Sequence, residues 1–413
     1  MKLRLGTLED GTRSVLVSVK QGNEEQWVSL VEAGLRSGVS ESKIDGEVRD
    51  VMAFLALTRD ARQRWLDVAT QHVPTTRGAQ MPFEPVSFRD AALFVKHSKQ
   101  SAAGFAKTVA PREGHALQLF FSQLVGKTIR LPTLAGPSRK PAFYVGNPFT
   151  FVPDGATAAW PSHSKWLDYE LEVALVLGHH VTSHDETIDT IILEHGAFVL
   201  INDFSARDTQ ADELATVNFG FVKSKSFCTA MATDLVTADE LWSPGDGGRL
   251  FSEGLRCTVT VNGQPWSEGS TSETKCCSLR EYVAFAALDE GLRPGELLGL
   301  GTVPNCCGLE IDRWLAPRDT IVLDCDVLGT LTNTVGDFPA ERGLDFKLYG
   351  AQNPSRLASA TRLLLMALVV PPLSFALLVG GALAALVWPG PTTSPGLARF
   401  AASLEDDDKK KAA

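Results

Sequence analysis

The sequence predicts an α+β fold on a mixed or antiparallel sheet, and three observations predict it. Short apolar runs of strand character recur through the middle of the chain, few helical stretches separate them, and an Asn-Gly turn joins two of them directly. A parallel doubly wound sheet would need a helix between successive strands. At 413 residues the chain exceeds one small core, so three units are expected. They are a small N-terminal domain over 1–78, a catalytic domain over 79–350, and a hydrophobic, low-complexity tail over 351–413.

In the first unit, Ser14 to Val19 and Trp27 to Val31 read as short strands, and Val51 to Leu57 carries helical patterning. No chemistry is evident there. After the Pro-punctuated passage Met81 to Pro85, the stretch Ser87 to His97 reads as a helix or turn-helix. Asp90 and His97, two helical turns apart, would then share a face. Ala142 to Pro148 reads as a strand running into a turn.

The stretch Leu167 to Leu177 holds the most informative pattern. As a strand it turns Tyr169, Leu171, Val173 and Leu175 one way and Glu170 and Glu172 the other, roughly 6.6 Å apart along the chain. Two carboxylates side by side on so apolar a strand repel unless a cation sits between them. The alternative is that the pair lies on a wet strand face.

Ala197 to Ile201 is a compact apolar run, so Asp203 sits where a buried strand emerges. Leu255 to Val261, Asn262-Gly263 and Gln264-Pro265-Trp266 form the hairpin. Ser278-Leu279-Arg280-Glu281 is a capping box opening a helix that ends near Gly291. Leu297 to Leu300 reads as a strand with Thr302 at its exit, and Ile321 to Val327 as a late strand.

A formal net charge of -10 argues against a nucleic-acid surface and for a protein acting on small molecules. The N-terminus has no secretory pattern, so the expected compartment is the cytosol. Seven cysteines fit reduced thiols better than a disulfide framework, and the pairs Cys276-Cys277 and Cys306-Cys307 lack zinc-knuckle spacing. From Leu363 to Trp388 no charge occurs, a length able to cross a bilayer core, but Pro371-Pro372 interrupts it. It reads as a C-terminal membrane anchor or as an appended tail.

By residue type the carriers of chemistry are Asp90, Glu170, Glu172 and Asp203, with His97, Arg207, Lys225 and Thr302 near strand ends. All-oxygen ligation suits a hard cation such as Mg²⁺, Mn²⁺ or Ca²⁺.

Five motifs in order carry a resemblance: Leu167-Asp168-Tyr169-Glu170-Leu171-Glu172, Asn202 to Gln210, Lys225-Ser226-Phe227, Val261-Asn262-Gly263 and Gly301-Thr302. Over roughly residues 80 to 340 the sequence resembles the fumarylacetoacetate hydrolase family, in its fumarylacetoacetase-like and acylpyruvase-like branches. The resemblance implies a mixed β-roll catalytic domain behind an SH3-like N-terminal domain, a homodimer, and a place in aromatic catabolism. It implies Glu170, Glu172, Asp203 and Asp90 as metal ligands, His97 as general base, and Glu310 as the carboxylate that orients it. Arg207, Gln210 and Lys225 would hold substrate and developing charge, and Tyr144 and Thr302 would complete the pocket. Arg207 could instead pair with Asp208 or Asp203, Lys223 competes with Lys225, and His115 or His163 could be the base. The implied reaction is cleavage of a carbon-carbon bond in an acylpyruvate-like or 1,3-diketo acid. Decarboxylation of a 2-oxo acid, hydration of a 2-oxo-enoate, isomerisation and a silent membrane-tethered scaffold are its rivals. Two departures stand out: Val303 to Cys307 replaces a glycine-rich turn, and only Lys107 follows His97 where fumarylacetoacetase has an arginine.

Overall fold

The computed structural model describes residues 1–21, 24–72, 74, 79–105, 141–184, 186–215, 220–244, 251, 254–339, 394–396, 398–400 and 402. Lys107, His115 and the uncharged stretch 363–388 lie outside them. Among the described residues, no helix is long and apolar enough to cross a membrane.

The architecture is a mixed α/β fold on two main sheets. The larger has eleven strands, and along its main path the order is Glu24–Ser29, Arg13–Gln21, Lys2–Thr7, Thr229–Thr237, Gly196–Asp203, Glu170–Leu177, Glu296–Cys307, Ser87–Ala91 and Phe143–Gly146. The smaller, five-stranded sheet runs Gln264–Ser270, Arg256–Val261, Thr320–Cys325, Gly329–Val335 and Thr157–Ala158. Most neighbours are antiparallel, but Glu296–Cys307 runs parallel to Ser87–Ala91. That mixture is what few intervening helices required.

Glu170–Leu177 lies at the middle of the larger sheet, flanked on both sides, and every residue in it is buried. Each of its leucines and valines contributes about 1.5–3 kcal/mol by leaving water, so the strand anchors whatever its polar residues do. The run from Leu167 is not one strand: Leu167–Asp168 pairs separately with Ser205–Ala206.

The first 72 residues do not stand apart in the sheet. Lys2–Thr7 pairs with Thr229–Thr237, and Arg4 grips Asp234 across that seam. The resemblance implied an SH3-like shape here. The described residues form three sheet-edge strands followed by the short helices Leu30–Arg36, Glu41–Glu47, Val51–Ala56 and Arg59–Ala69. Ser29, Asp50 and Thr58 cap three of these with side-chain oxygens, which is why strand turns to helix at Ser29.

Two other readings need correction. Ser87 to His97 is no continuous helix: Asp90 lies on the strand Ser87–Ala91 and His97 on the helix Val95–Gly104. Pairing of Ser87–Ala91 with strands on both sides overrides its local helical pattern. Thr302 is not at a strand exit, because the strand continues to Cys307. Gly301 permits this, with φ of +88° at a point where an added Cβ would lie 2.3 Å from the Ala91 carbonyl. The hairpin at Asn262-Gly263 and the Ser278 capping box form where expected.

At the other end, Arg399 Nη2 donates to the Trp314 carbonyl at 3.1 Å and to Asp319 Oδ2 at 2.8 Å.

Candidate metal centre

Three strands of the larger sheet deliver the acids, two of them neighbours and the third, Ser87–Ala91, set one strand away across Glu296–Cys307. Glu170 and Glu172 open the central strand, Asp203 closes Gly196–Asp203, and Asp90 comes from Ser87–Ala91. All four are buried, Glu170 at 3% and Glu172 at 1% exposure, so the wet-face alternative for the pair is excluded.

Asp90, Glu172 and Asp203 each offer a carboxylate oxygen, and these atoms lie within 4.8 Å of one another. Thr302 Oγ1 donates to Glu172 Oε1 at 3.0 Å, and Tyr144 Oη donates to Asp203 Oδ2 at 2.7 Å. Thr229 Oγ1 adds a bond to Asp203 Oδ1 at 3.3 Å. Asp90 Oδ1 and Glu172 Oε2 are buried without a hydrogen-bond partner among the described residues. Orphaned buried oxygens are costly unless a ligand satisfies them. The donor set is all oxygen, so the cluster fits a hard divalent cation.

Glu170, expected as a fourth ligand, has both carboxylate oxygens engaged by cationic side chains. Arg207 Nη2 donates to its Oε1 at 2.6 Å, and Lys225 Nζ bridges its Oε2 to Asp203 Oδ2. Lys225 is buried whereas Lys223 is exposed, which separates the two candidates. His163 is exposed, with Nε2 on the Lys223 carbonyl.

Burial would raise the Glu170 carboxyl, but Arg207 and Lys225 outweigh it and hold it well below the usual carboxylate range. Its neighbours go the other way. Burial, with Asp203 nearby, pushes Asp90 up to about 7. Burial and the charges of Asp90 and Glu170 raise Glu172 further, and burial also raises Asp203. Among the described residues, the ion pairs of Asp168, Glu170 and Asp203 in this group are with the buried cations Arg207 and Lys225, and the excess of carboxylates is what a divalent ion would relieve.

Arg207, expected to hold substrate, is engaged by side chains of the chain itself. At 2% exposure it spends its guanidinium on Asp168, Glu170 and Gln210 Oε1, not on Asp203 or Asp208. Asp208 instead holds Ser164 Oγ and the Lys165 amide. Asp168 is the residue that sequence reasoning missed. Its carboxylate also accepts the Gly308 and Leu309 amides at 2.7 and 3.0 Å, which fixes the short helix Gly308–Ile311.

That helix carries Glu310, and His97 Nδ1 lies 2.9 Å from Glu310 Oε1. The Glu310 side chain has no exposed surface. His97 is 9% exposed, and it is among the groups that hold Glu170 down.

Residues 122–336 match the family described as fumarylacetoacetate (FAA) hydrolase, C-terminal. The chain belongs to this family. The 4-hydroxyphenylacetate degradation bifunctional isomerase/decarboxylase of Escherichia coli is 22% identical over 201 residues, 48% of this chain and 42% of that protein. The chain thus spans less than half the length of that relative. The mitochondrial oxaloacetate tautomerase of Bos taurus is 24% identical over 169 residues, 41% of this chain and 71% of that protein. In fold, a 5-carboxymethyl-2-hydroxymuconate delta-isomerase from Mycobacterium smegmatis superposes with a TM-score of 0.51 at 15% identity, covering 82% of this chain and 100% of that one.

Proposed function

We propose that this family member is a divalent-cation-dependent hydrolase that cleaves a carbon-carbon bond in an acylpyruvate-like or 1,3-diketo acid. The observation that carries the reading is the buried His97–Glu310 pair, on the helices Val95–Gly104 and Gly308–Ile311, together with the three-carboxylate cluster. Asp90, Glu172 and Asp203 would hold the cation, Mg²⁺ with Mn²⁺ or Ca²⁺ as substitutes. When bound, it supplies positive charge that polarises the substrate oxygens and makes an enolate leaving group tolerable.

The chain's own residues supply the rest. The hydrogen bond to Glu310 keeps the Nδ1 proton of His97 in place, so Nε2 is the base that takes a proton from water. General-base assistance of this kind is worth about 10²- to 10⁴-fold. Water attacks the carbonyl remote from the carboxylate, the carbon-carbon bond breaks, and the proton held by His97 returns to the released carbon. The products are a carboxylic acid and a 2-oxo acid. The Lys225 ammonium, held beside the cluster by Glu170 and Asp203, faces the negative charge that develops. Arg207 and Gln210 act one step back, keeping Glu170 ionised and in place.

A second reading rests on the names of the relatives: tautomerisation, isomerisation or decarboxylation of a 2-oxo acid shares enolate formation but consumes no water. We carry over the homodimer as a further proposal.

The experiment is a panel of acylpyruvates and oxaloacetate, with and without chelator, analysed for products. Hydrolysis predicts a carboxylic acid with a 2-oxo acid, lost in His97→Ala by about 10²- to 10⁴-fold while cation affinity is kept. Carbon dioxide or tautomer alone, or equal turnover by His97→Ala, overturns it in favour of the second reading.

A further inference from the structure

Among the described residues a second cluster of possible ligands includes the proposed base pair. His97, Cys307 and Glu310 each offer a ligand atom, and these atoms lie within 4.8 Å of one another. Nitrogen, sulfur and oxygen together form a donor set unlike the all-oxygen cluster. Thiolate and imidazole select zinc-class ions, whereas carboxylates alone select magnesium or calcium. A tetrahedral zinc, with bonds of about 2.0–2.3 Å, sets neighbouring donors roughly 3.3–3.8 Å apart, inside that limit.

Three further observations point to a cation here. Glu310 Oε2 is buried with no hydrogen-bond partner among the described residues, and the whole side chain is without exposed surface. Burial first, and after it the charges of Glu310 and Asp168, raise the Cys307 thiol, which disfavours the bare thiolate but not a thiolate neutralised by a dication. The donors are also held in advance. Cys307 is in register with Glu170 on the neighbouring strand, and Asp168 pins the amides of Gly308 and Leu309, the two residues between Cys307 and Glu310. A preformed, buried ligand triad binds with little ordering cost.

We propose that His97, Cys307 and Glu310 form a second metal site, selective for zinc-class cations, whose occupancy inhibits the enzyme. Binding replaces the thiol proton with the metal and releases that proton to solvent. It takes up both members of the His97–Glu310 pair, so water activation stops while Asp90, Glu172 and Asp203 stay available for their own cation. The inhibitory part rests on the proposed hydrolytic reading; the site itself does not.

The test uses the full chain with saturating Mg²⁺ and Co²⁺ as the probe, because a cobalt-thiolate bond gives a charge-transfer absorption that oxygen ligands cannot. The wild type is expected to develop this band to one equivalent, and Zn²⁺ to bleach it. Cys307→Ser is expected to lose the band and to need at least about tenfold more Zn²⁺ for inhibition. A Cys276→Ser/Cys277→Ser variant keeps both properties. An unchanged Mg²⁺-dependent rise in melting temperature certifies that Cys307→Ser is folded. No band in the wild type, or a band that survives in Cys307→Ser, overturns the site. A band without turnover of any diketo acid leaves the site standing and removes the hydrolytic reading instead.

Discussion

Asp168 and Arg207 form a buried ion pair, with Arg207 Nη2 at 2.7 Å and Nε at 2.9 Å from Asp168 Oδ2. The same carboxylate holds the two amides that open the helix carrying Glu310. One side chain therefore sets the position of the cation that faces Glu170 and of the carboxylate that faces His97.

Replacing Asp168 by asparagine keeps the shape and removes the charge. Breaking a buried pair leaves its partner uncompensated, so Asp168→Asn should lose about 3–5 kcal/mol of stability, moderated by the remaining Glu170 contact. Turnover should fall as well, since Glu310 is no longer anchored. Urea unfolding checks this, and a midpoint equal to the wild type would refute the linking role.

Gly299 pairs with Asp90 in the parallel register, and a Cβ added there would lie 2.2 Å from Asp90 Oδ1. The absence of a side chain is what lets Asp90 lean into the cluster. Gly299→Ala should cost about 1–3 kcal/mol by overpacking and weaken Mg²⁺ affinity much more than that cost suggests, because the ligand itself is displaced. Calorimetric titration with Mg²⁺ decides it; unaltered affinity would mean that Asp90 is not a ligand.

The raised carboxyl of Asp90, about 7 against an ordinary 3.8, has a consequence for stability. Between those values the folded chain holds a proton that the unfolded chain has released, so stability of the metal-free protein falls as pH rises through the window. A bound cation replaces the proton and removes the penalty. Melting temperature in chelator should therefore fall from about pH 5 to about pH 8 relative to that in excess Mg²⁺. Parallel curves would contradict the proton-for-metal exchange.

Much of the framework was legible in the sequence, because strands announce themselves locally. The apolar runs at Leu171 to Leu177 and Ala197 to Ile201, and the turn residues Asn262-Gly263, carry their own signals. Non-local effects were hidden. Ser87–Ala91 became a strand because partners on both sides demanded it. The partners of Arg207, the reach of Asp168 to the amides of residues 308 and 309, and the space that Gly299 leaves for Asp90 depend on folding that no spacing rule encodes. The stretch 363–388, read as an anchor or tail, lies outside the described residues.

The central claim is that Asp90, Glu172 and Asp203 close around one hard cation on which turnover depends. Its most direct test is calorimetric titration of Mg²⁺ into chelator-stripped protein, with acylpyruvate turnover followed in the same samples. The account predicts one equivalent bound by the wild type, with binding and turnover lost together in Asp90→Asn and Glu172→Gln. Wild-type protein that takes up no Mg²⁺, Mn²⁺ or Ca²⁺, or variants that bind and turn over like it, would contradict the account.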